Sequence, residues 1–540
     1  MSRSVARMAA LAVVALIACI ASTPCQAMSI KRSPLPYRIV SFHKGKMNKD
    51  ILRSAAKIGY NGAMVQLESG NVQRLQEFAE LDRKEGYVEL CHSLGMKVTL
   101  WVHELENLPG ANDTGYLGPV TLENDKLWKH LEDRYDYVLG ELLPDIDGIV
   151  LTVVETQIGV TDTKLMLKLV DVLRGKCQKY KKQLIVRTFV WYPKEFEGVM
   201  GCVKQMPDDV VIMSKCVPQD WQLRGMNDRA IGDVGNHQQI VEYDAAGEYF
   251  LEDSVANCMV DYLKDQFEYG LKHGVDGVCV RVDRGHANVL HAPQEVNMWA
   301  LGLFANADAS TADQVWNAWA TARYGRIAAP GVIKALKPTL EVMREMVNIG
   351  SFSLGRPGPG PPAPDKDSLS TNWANFKWDR AYLPEYRAAQ AGEPAYTSKV
   401  AAQKKNALVL AQRCLVDLEE VKSKLSPEDY EVLKSKLFTN KVQLEWRAPM
   451  MLAYLRYNRV RNTSDETEET ALAKLIRADL AKMREVANRQ YPPSRELDYL
   501  GKKWQVGAPG DFEPKRINEW ADKMEALLKA KGLNLPINTD

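Results

Sequence analysis

The sequence predicts an eight-stranded (β/α) barrel, an α/β TIM-barrel fold, followed by an all-α C-terminal domain. Three observations predict it. Between Tyr37 and about Tyr324, short β-branched runs alternate with amphipathic stretches; runs that are apolar almost throughout suit parallel strands buried on both faces. Residues free to take positive φ recur just before the runs, at Asn61-Gly62, Gly95, Asp147-Gly148 and Asp276-Gly277, where a helix-to-strand turn needs them. Beyond Tyr324 the strand signal stops and Leu-, Ala-, Lys- and Glu-rich helical stretches take over.

Taken in order, residues 1–27 read as a signal peptide. Arg3 and Arg7 precede the apolar run Met8 to Ile20, and Pro24-Cys25-Gln26-Ala27 offers a small residue for cleavage. The run is too short for a good spanning helix. Leu16-Ile17-Ala18-Cys19 also fits a lipoprotein cleavage site. The expectation is therefore export, to the periplasm or beyond, with anchoring through a lipidated Cys19 as the alternative. No later segment is apolar enough to span a membrane.

The barrel is assigned to residues 28–325, with strands in Arg38–Phe42, Ala63–Leu67, Lys97–Val102, Ile149–Val154, Leu184–Phe189, Val210–Met213, Gln239–Tyr243 and Val278–Val282. Eight βα units in about 290 residues match a (β/α)₈ barrel. An open doubly wound sheet is the alternative, but no GxGxxG or phosphate loop follows the first run. The C-terminal domain, 326–540, holds helical patterns near 329–349, 399–424, 427–437, 440–460, 466–488 and 515–531, with a Pro/Gly-rich linker near 354–366.

Composition excludes several partners. The 540 residues carry 70 basic and 69 acidic side chains, a net charge of +1, which gives no reason to expect nucleic acid or an anionic membrane surface. Of nine cysteines, Cys19 and Cys25 leave with the signal. The remaining seven are scattered without a CxxC, so neither a disulfide framework nor a zinc motif is expected. No cofactor and no metal are expected either.

In such a barrel the strand C-termini and the loops after them build the active site. The residues there are His43, Glu68 with Asn71, His103 with Glu104, Glu155, Arg187, Lys215 with Asp220, Glu248, and Asp283-Arg284 with His286. Carboxylates gathered in a cleft perturb one another and suit acid/base work. An acidic set beside Arg187 and Lys215 fits carbohydrate chemistry, in which one carboxyl protonates the leaving oxygen and another acts opposite. The two cations match an anionic sugar.

These residues resemble those of the family 67 α-glucuronidases. Lys215-Cys216-Val217-Pro218-Gln219-Asp220-Trp221-Gln222-Leu223-Arg224 resembles the family's sixth-strand motif, and Gly247-Glu248-Tyr249 its Gln-Glu-Tyr element after strand seven. Val186 to Trp191 is similar to the fifth-strand motif, and Asn297 to Ala305 to the helix after the last strand. Glu155 stands where the family keeps its general acid. The resemblance implies Glu155 as acid, Asp220 and Glu248 as water activators, and Arg187 and Lys215 as uronate contacts. The family's α/β domain before the barrel is absent here, and Thr156, Cys216 and Val217 depart from its motifs.

The expected function is thus an exported, inverting, α-glucuronidase-like glycoside hydrolase acting on a uronic-acid-containing oligo- or polysaccharide. Substrate contacts are expected from Arg187, Lys215, Trp191, Trp221, Glu104, Asp283 and Arg284, the two tryptophans stacking on sugar faces. The alternatives are a catalytically inactive glycan-binding barrel and an unrelated barrel hydrolase or lyase. In the resembled family a helical C-terminal region dimerises; no motif here carries that over, and a homodimer through these helices stays open.

Overall fold

The computed structural model describes residues 32–43, 47–67, 72–105, 117–153, 158, 162–284, 287–353, 364–365, 369 and 375–533. The signal at 1–27 and nearly all of the linker near 354–366 lie outside these residues.

Eight parallel strands close a barrel in sequence order: β1 (Tyr37–Phe42), β2 (Gly62–Gln66), β3 (Lys97–His103), β4 (Gly148–Thr152), β5 (Gln183–Arg187), β6 (Val211–Lys215), β7 (Gln239–Asp244) and β8 (Gly277–Arg281). β8 closes the ring on β1, with Cys279 opposite Ile39. Every expected run falls on a strand. The helices of this part are α1 (Lys49–Lys57), α2 (Val72–Glu85), α3 (Tyr87–Ser93), α4 (Asp125–Tyr137), α5 (Thr163–Lys179), α6 (Pro193–Val203), α7 (Val260–Lys272) and α8 (Glu295–Ala305). Side-chain caps set their starts: Asn48 accepts from the first amides of α1, and Asp162 from Leu165 in α5. Between β6 and β7 no helix forms. Residues 216–238 run there as turns and bends.

Strand periodicity then decides what faces the barrel interior. Nine inward residues fill the interior: Ile39, Met64, Trp101, Val150, Ile185, Val211 and Met213 of β6, Ile240 and Cys279. Two positions beyond the last of these on each strand, on the same face, stand Ser41, Gln66, His103, Thr152, Arg187, Lys215, Glu242 and Arg281, each at most 7% exposed. An apolar plug thus gives way, within one step, to a ring of eight polar groups at the strand C-termini. Burying so much polarity is costly unless the groups satisfy one another, and this ring is the base of the candidate site.

After the barrel, two-residue strands β9 (Asp283–Arg284) and β10 (Ala287–Asn288) form a small hairpin. α9 (Ala312–Leu336) is two helical segments joined at Gly325, whose φ of +78° breaks the spiral. α10 (Thr339–Val347) follows, then the short pair β11 (Asn348–Ile349) and β12 (Phe352–Ser353), then α11 (Leu383–Ala391), α12 (Pro394–Val421), α13 (Pro427–Asn462) and α14 (Glu466–Asn488). The hairpin β13 (Arg495–Tyr499) and β14 (Lys502–Val506) precedes α15 (Pro514–Ala530). Trp446, Tyr454, Leu480 and Trp520 lie in a core shared by the later helices. Val332, Ala407, Cys414 and Leu437 instead belong to the core that includes the other faces of the barrel strands, Val40 and Val186 among them.

Several details differ from the sequence reading. The helical pattern at 329–349 is the end of α9, then α10, then β11, which pairs with β12. The patterns at 427–437 and 440–460 are one helix, because nothing at 438–439 breaks it; Thr439 returns its hydroxyl to the Ser435 carbonyl at 2.9 Å. The β13–β14 hairpin was not expected. Its turn, Leu500-Gly501, has positive φ at both residues, the twist a two-residue hairpin loop prefers. All seven cysteines of the described residues are unpaired and buried. Burial pushes the Cys91 and Cys177 thiols up to about 12, so they are small hydrophobes.

Candidate active site

Lys215 ends β6, and its ammonium donates to Asp220 Oδ1 at 2.6 Å. The charge lies 4.2 Å from the Phe189 ring and 4.5 Å from the Trp221 ring, a cation–π seat that partly replaces water. Asp220 sits on the helix-free β6–β7 segment. Its other oxygen accepts the Tyr249 hydroxyl at 3.0 Å, and burial, with Asp220 and Glu248 nearby, pushes that hydroxyl's pKa up. Two expected carboxylates therefore act on one tyrosine.

Glu248 is placed by a tight turn after β7. Asp244 accepts the amides of Ala246, Gly247 and Glu248 at 2.9, 3.1 and 2.7 Å, an arrangement Asp favours in turns. Gly247 takes φ +79°, and a Cβ there would lie 2.6 Å from Asn257 Nδ2, so only glycine fits. Glu248 Oε2 accepts Trp221 Nε1 at 3.0 Å and pairs with Arg281. Arg284 reaches its other oxygen at 3.1 Å. Burial pushes the Glu248 carboxyl up, but Arg281, Lys215 and Arg284 outweigh it and hold the group down to about 2. Burial and the neighbouring Glu248 charge raise Asp244 to about 6.

Arg187 is at the site but spends its fork inside the protein. Nε and Nη2 bond Glu242 at 3.0 and 2.5 Å, and Nη1 bonds Thr152 at 3.1 Å. Its guanidinium lies 4.0 Å from the Trp101 ring. Glu242 also meets Arg281 at 3.5 Å, and the two arginines, against its burial, keep its carboxyl low. Among the described residues the mouth thus gathers four cations, Arg187, Lys215, Arg281 and Arg284, against the three carboxylates paired with them, Asp220, Glu242 and Glu248.

Asp283 and Arg284 lie at the rim after β8. Asp283 accepts the His43 amide at 2.7 Å, and burial raises its carboxyl to about 7 against that bond and the nearby arginines. Arg284 donates to His43 Nε2 at 2.7 Å; its side chain is 30% exposed, more open than those of Arg187, Lys215 and Arg281. Trp191 is half-buried, edge-on to Phe189 at 4.8 Å.

Two expected substrate contacts are placed otherwise. Glu104 is 0% exposed and its carboxylate is taken by Arg134 and Tyr135 of α4, an internal ion pair fixing that helix to β3. Trp221 is 3% exposed, its ring against Lys215 and its N–H on Glu248, so it orients charges in place of offering a face. Glu155, with Glu68, Asn71 and His286, lies outside the described residues. Glu242 and Arg281 belong to the site although the motif reading passed over them, and Tyr249, given no role of its own there, belongs to it as well. Counting by twos from the apolar plug finds the first two. Among the described residues, no three His, Cys, Asp or Glu side chains converge as metal ligands do.

No family model matches this chain, and no curated protein does. Its fold is similar to that of a GH138 enzyme targeting pectin rhamnogalacturonan II, at 10% identity and TM-score 0.62, over 93% of this chain and 84% of that one. Weaker likenesses are to an O-GlcNAc hydrolase mutant of Thermobaculum terrenum (11% identity, TM-score 0.44, 93% and 98% covered) and to a family GH115 4-O-methyl-α-glucuronidase with specificity for decorated arabinogalactans (13%, 0.48, 91% and 62%). The first likeness shows the fold.

Proposed function

We propose that this chain is an exported, inverting glycoside hydrolase that acts on a uronic-acid-containing glycan in an α-glucuronidase-like reaction. The observation that carries the reading is the pair Asp220 and Glu248, both acting on Tyr249 and set among Lys215, Arg281 and Arg284 at the barrel mouth. Asp220 and Glu248 take the proton of the attacking water, and Glu155, on the segment after β4, protonates the leaving oxygen. The fold likeness to a pectin-targeting enzyme and the signal-like residues 1–27 support the same reading.

A carboxylate held near 2 is a weak base. An anionic substrate supplies what is missing. Its carboxylate competes for Arg284 and Lys215, withdraws part of the positive field on Glu248, and strengthens the base only when substrate is seated. Arg284 and Lys215 are the uronate contacts in this account, while Arg187, occupied by Glu242, holds the floor of the site.

The test is incubation with a panel of acidic and neutral oligosaccharides, with chromatographic detection of free uronic acid. Release from an acidic member, lost in Asp220→Asn and Glu248→Gln, is expected. Binding without release by the wild-type chain marks an inactive glycan-binding barrel; release of neutral sugars alone marks a different hydrolase.

A further inference from the structure

We infer that the C-terminal region is a clamp for the loop after β7, with Asn440 and Lys502 as its positioning residues; the catalytic meaning of the clamp rests on the function proposed above. The loop, residues 245–259, carries Glu248 and Tyr249. Its backbone is held in the left-handed region at Gly247 and, without glycine's freedom, at Leu251 (φ +64°) and Glu252 (φ +46°). Such conformations persist only where the surroundings impose them.

On the barrel side the imposition comes from Asn297 of α8, which donates to the carbonyls of Ala245 and Asn257 at 3.1 and 2.8 Å. The opposite constraint comes from far along the chain. Asn440 of α13, buried, accepts the Ala256 amide and donates to the Ala256 carbonyl, both at 2.8 Å, pairing with the loop as a strand would. Lys502 of β14 bridges Asp253 at 2.9 Å and the Asn288 carbonyl of β10 at 3.2 Å, and β10 pairs with the strand bearing Arg284. Asp511 takes the Ser254 hydroxyl. The unexpected hairpin thus ties together the segments that carry Glu248 and Arg284.

The full-length chain carrying Lys502→Met, and separately Asn440→Ala, is compared with wild type by amide hydrogen exchange and by kinetics on a uronoside that wild type accepts. Lys502 is partly exposed and methionine keeps its length, so this variant decides if Asn440→Ala fails to fold. Exchange over residues 248–256 is expected to rise about tenfold while the barrel strands keep their protection. In parallel kcat falls about ten- to a hundredfold with KM within about twofold, as misplacement of a reacting group predicts, and Lys502→Arg restores both. Unchanged exchange over 248–256 overturns the clamp; raised exchange with unchanged kcat overturns the positioning role. Raised exchange in a chain that hydrolyses no uronoside keeps the clamp and removes only the glycosidase reading.

Discussion

Replacing Arg281 with methionine removes the guanidinium that pairs with both Glu242 and Glu248. Among the charges that hold Glu248 from an ordinary 4.5 down to about 2 against its burial, Arg281 leads, ahead of Lys215 and Arg284. At about 1.4 kcal/mol per tenfold change in proton affinity, that depression corresponds to about 3 kcal/mol of folding stability. Because the folded value lies below the unfolded one, the stabilisation is fully present above pH 4.5 and is lost as pH falls through about 2. Arg281→Met is therefore expected to cost about 3 kcal/mol near neutrality, at the low end for breaking a buried pair, because Glu242 keeps Arg187 and Glu248 keeps Arg284. The difference from wild type should narrow as the medium is acidified. Urea unfolding across the acid range measures the first effect. The acid limb of kcat/KM measures the second, and it should move up by about one pH unit or more as burial regains control of Glu248. A stability difference that is the same at every pH, or an acid limb that does not move, refutes the reasoning.

Asp283→Asn keeps the acceptor for the His43 amide but removes a carboxyl raised to about 7. A raised folded value makes wild type lose stability as pH climbs from about 4 to 7, so the variant should gain on wild type over that window, and parallel urea midpoints contradict this. Glu104→Gln breaks a buried ion pair with Arg134 and should cost about 3–5 kcal/mol in unfolding experiments with KM unchanged; a raised KM restores a substrate contact. Trp221→Phe removes the donor to Glu248 Oε2, a charge-assisted bond worth about 1.5–3 kcal/mol, and a kcat loss of about tenfold or more is expected. An unchanged kcat leaves that bond without a catalytic role.

The strands were legible because parallel barrel strands are apolar on both faces, and runs such as Ile149–Val154 stand out against amphipathic helices. Lys215, Asp220 and Glu248 were legible from motif resemblance, and the structure brings them together. Glu242 and Arg281 were not read as functional, because each sits inside an apolar run where a charged residue looks like part of the strand; only the inward count separates them. Glu104 misled the reading for the opposite reason. It follows a strand as a site residue does, but its partners Arg134 and Tyr135 come from a helix some thirty positions on, and no local pattern announces that pairing. The clamp was equally invisible, since Asn440 and Ala256 are separated by 184 positions.

The central claim is that the mouth recognises and hydrolyses a uronoside through a cation seated beside Glu248. The most direct test measures kcat/KM on a matched α-uronoside and α-glucoside for wild type, Arg284→Met and Arg187→Ala. The account predicts that wild type prefers the uronoside by about tenfold to more than a hundredfold, from about 1.5–3 kcal/mol of charge-assisted bonding. Arg284→Met should remove that preference by lowering the uronoside alone, and Arg187→Ala, which leaves Glu242 only its 3.5 Å contact with Arg281, should lower both substrates alike. Equal rates of wild type on the two substrates, or equal losses on both in Arg284→Met, would contradict it.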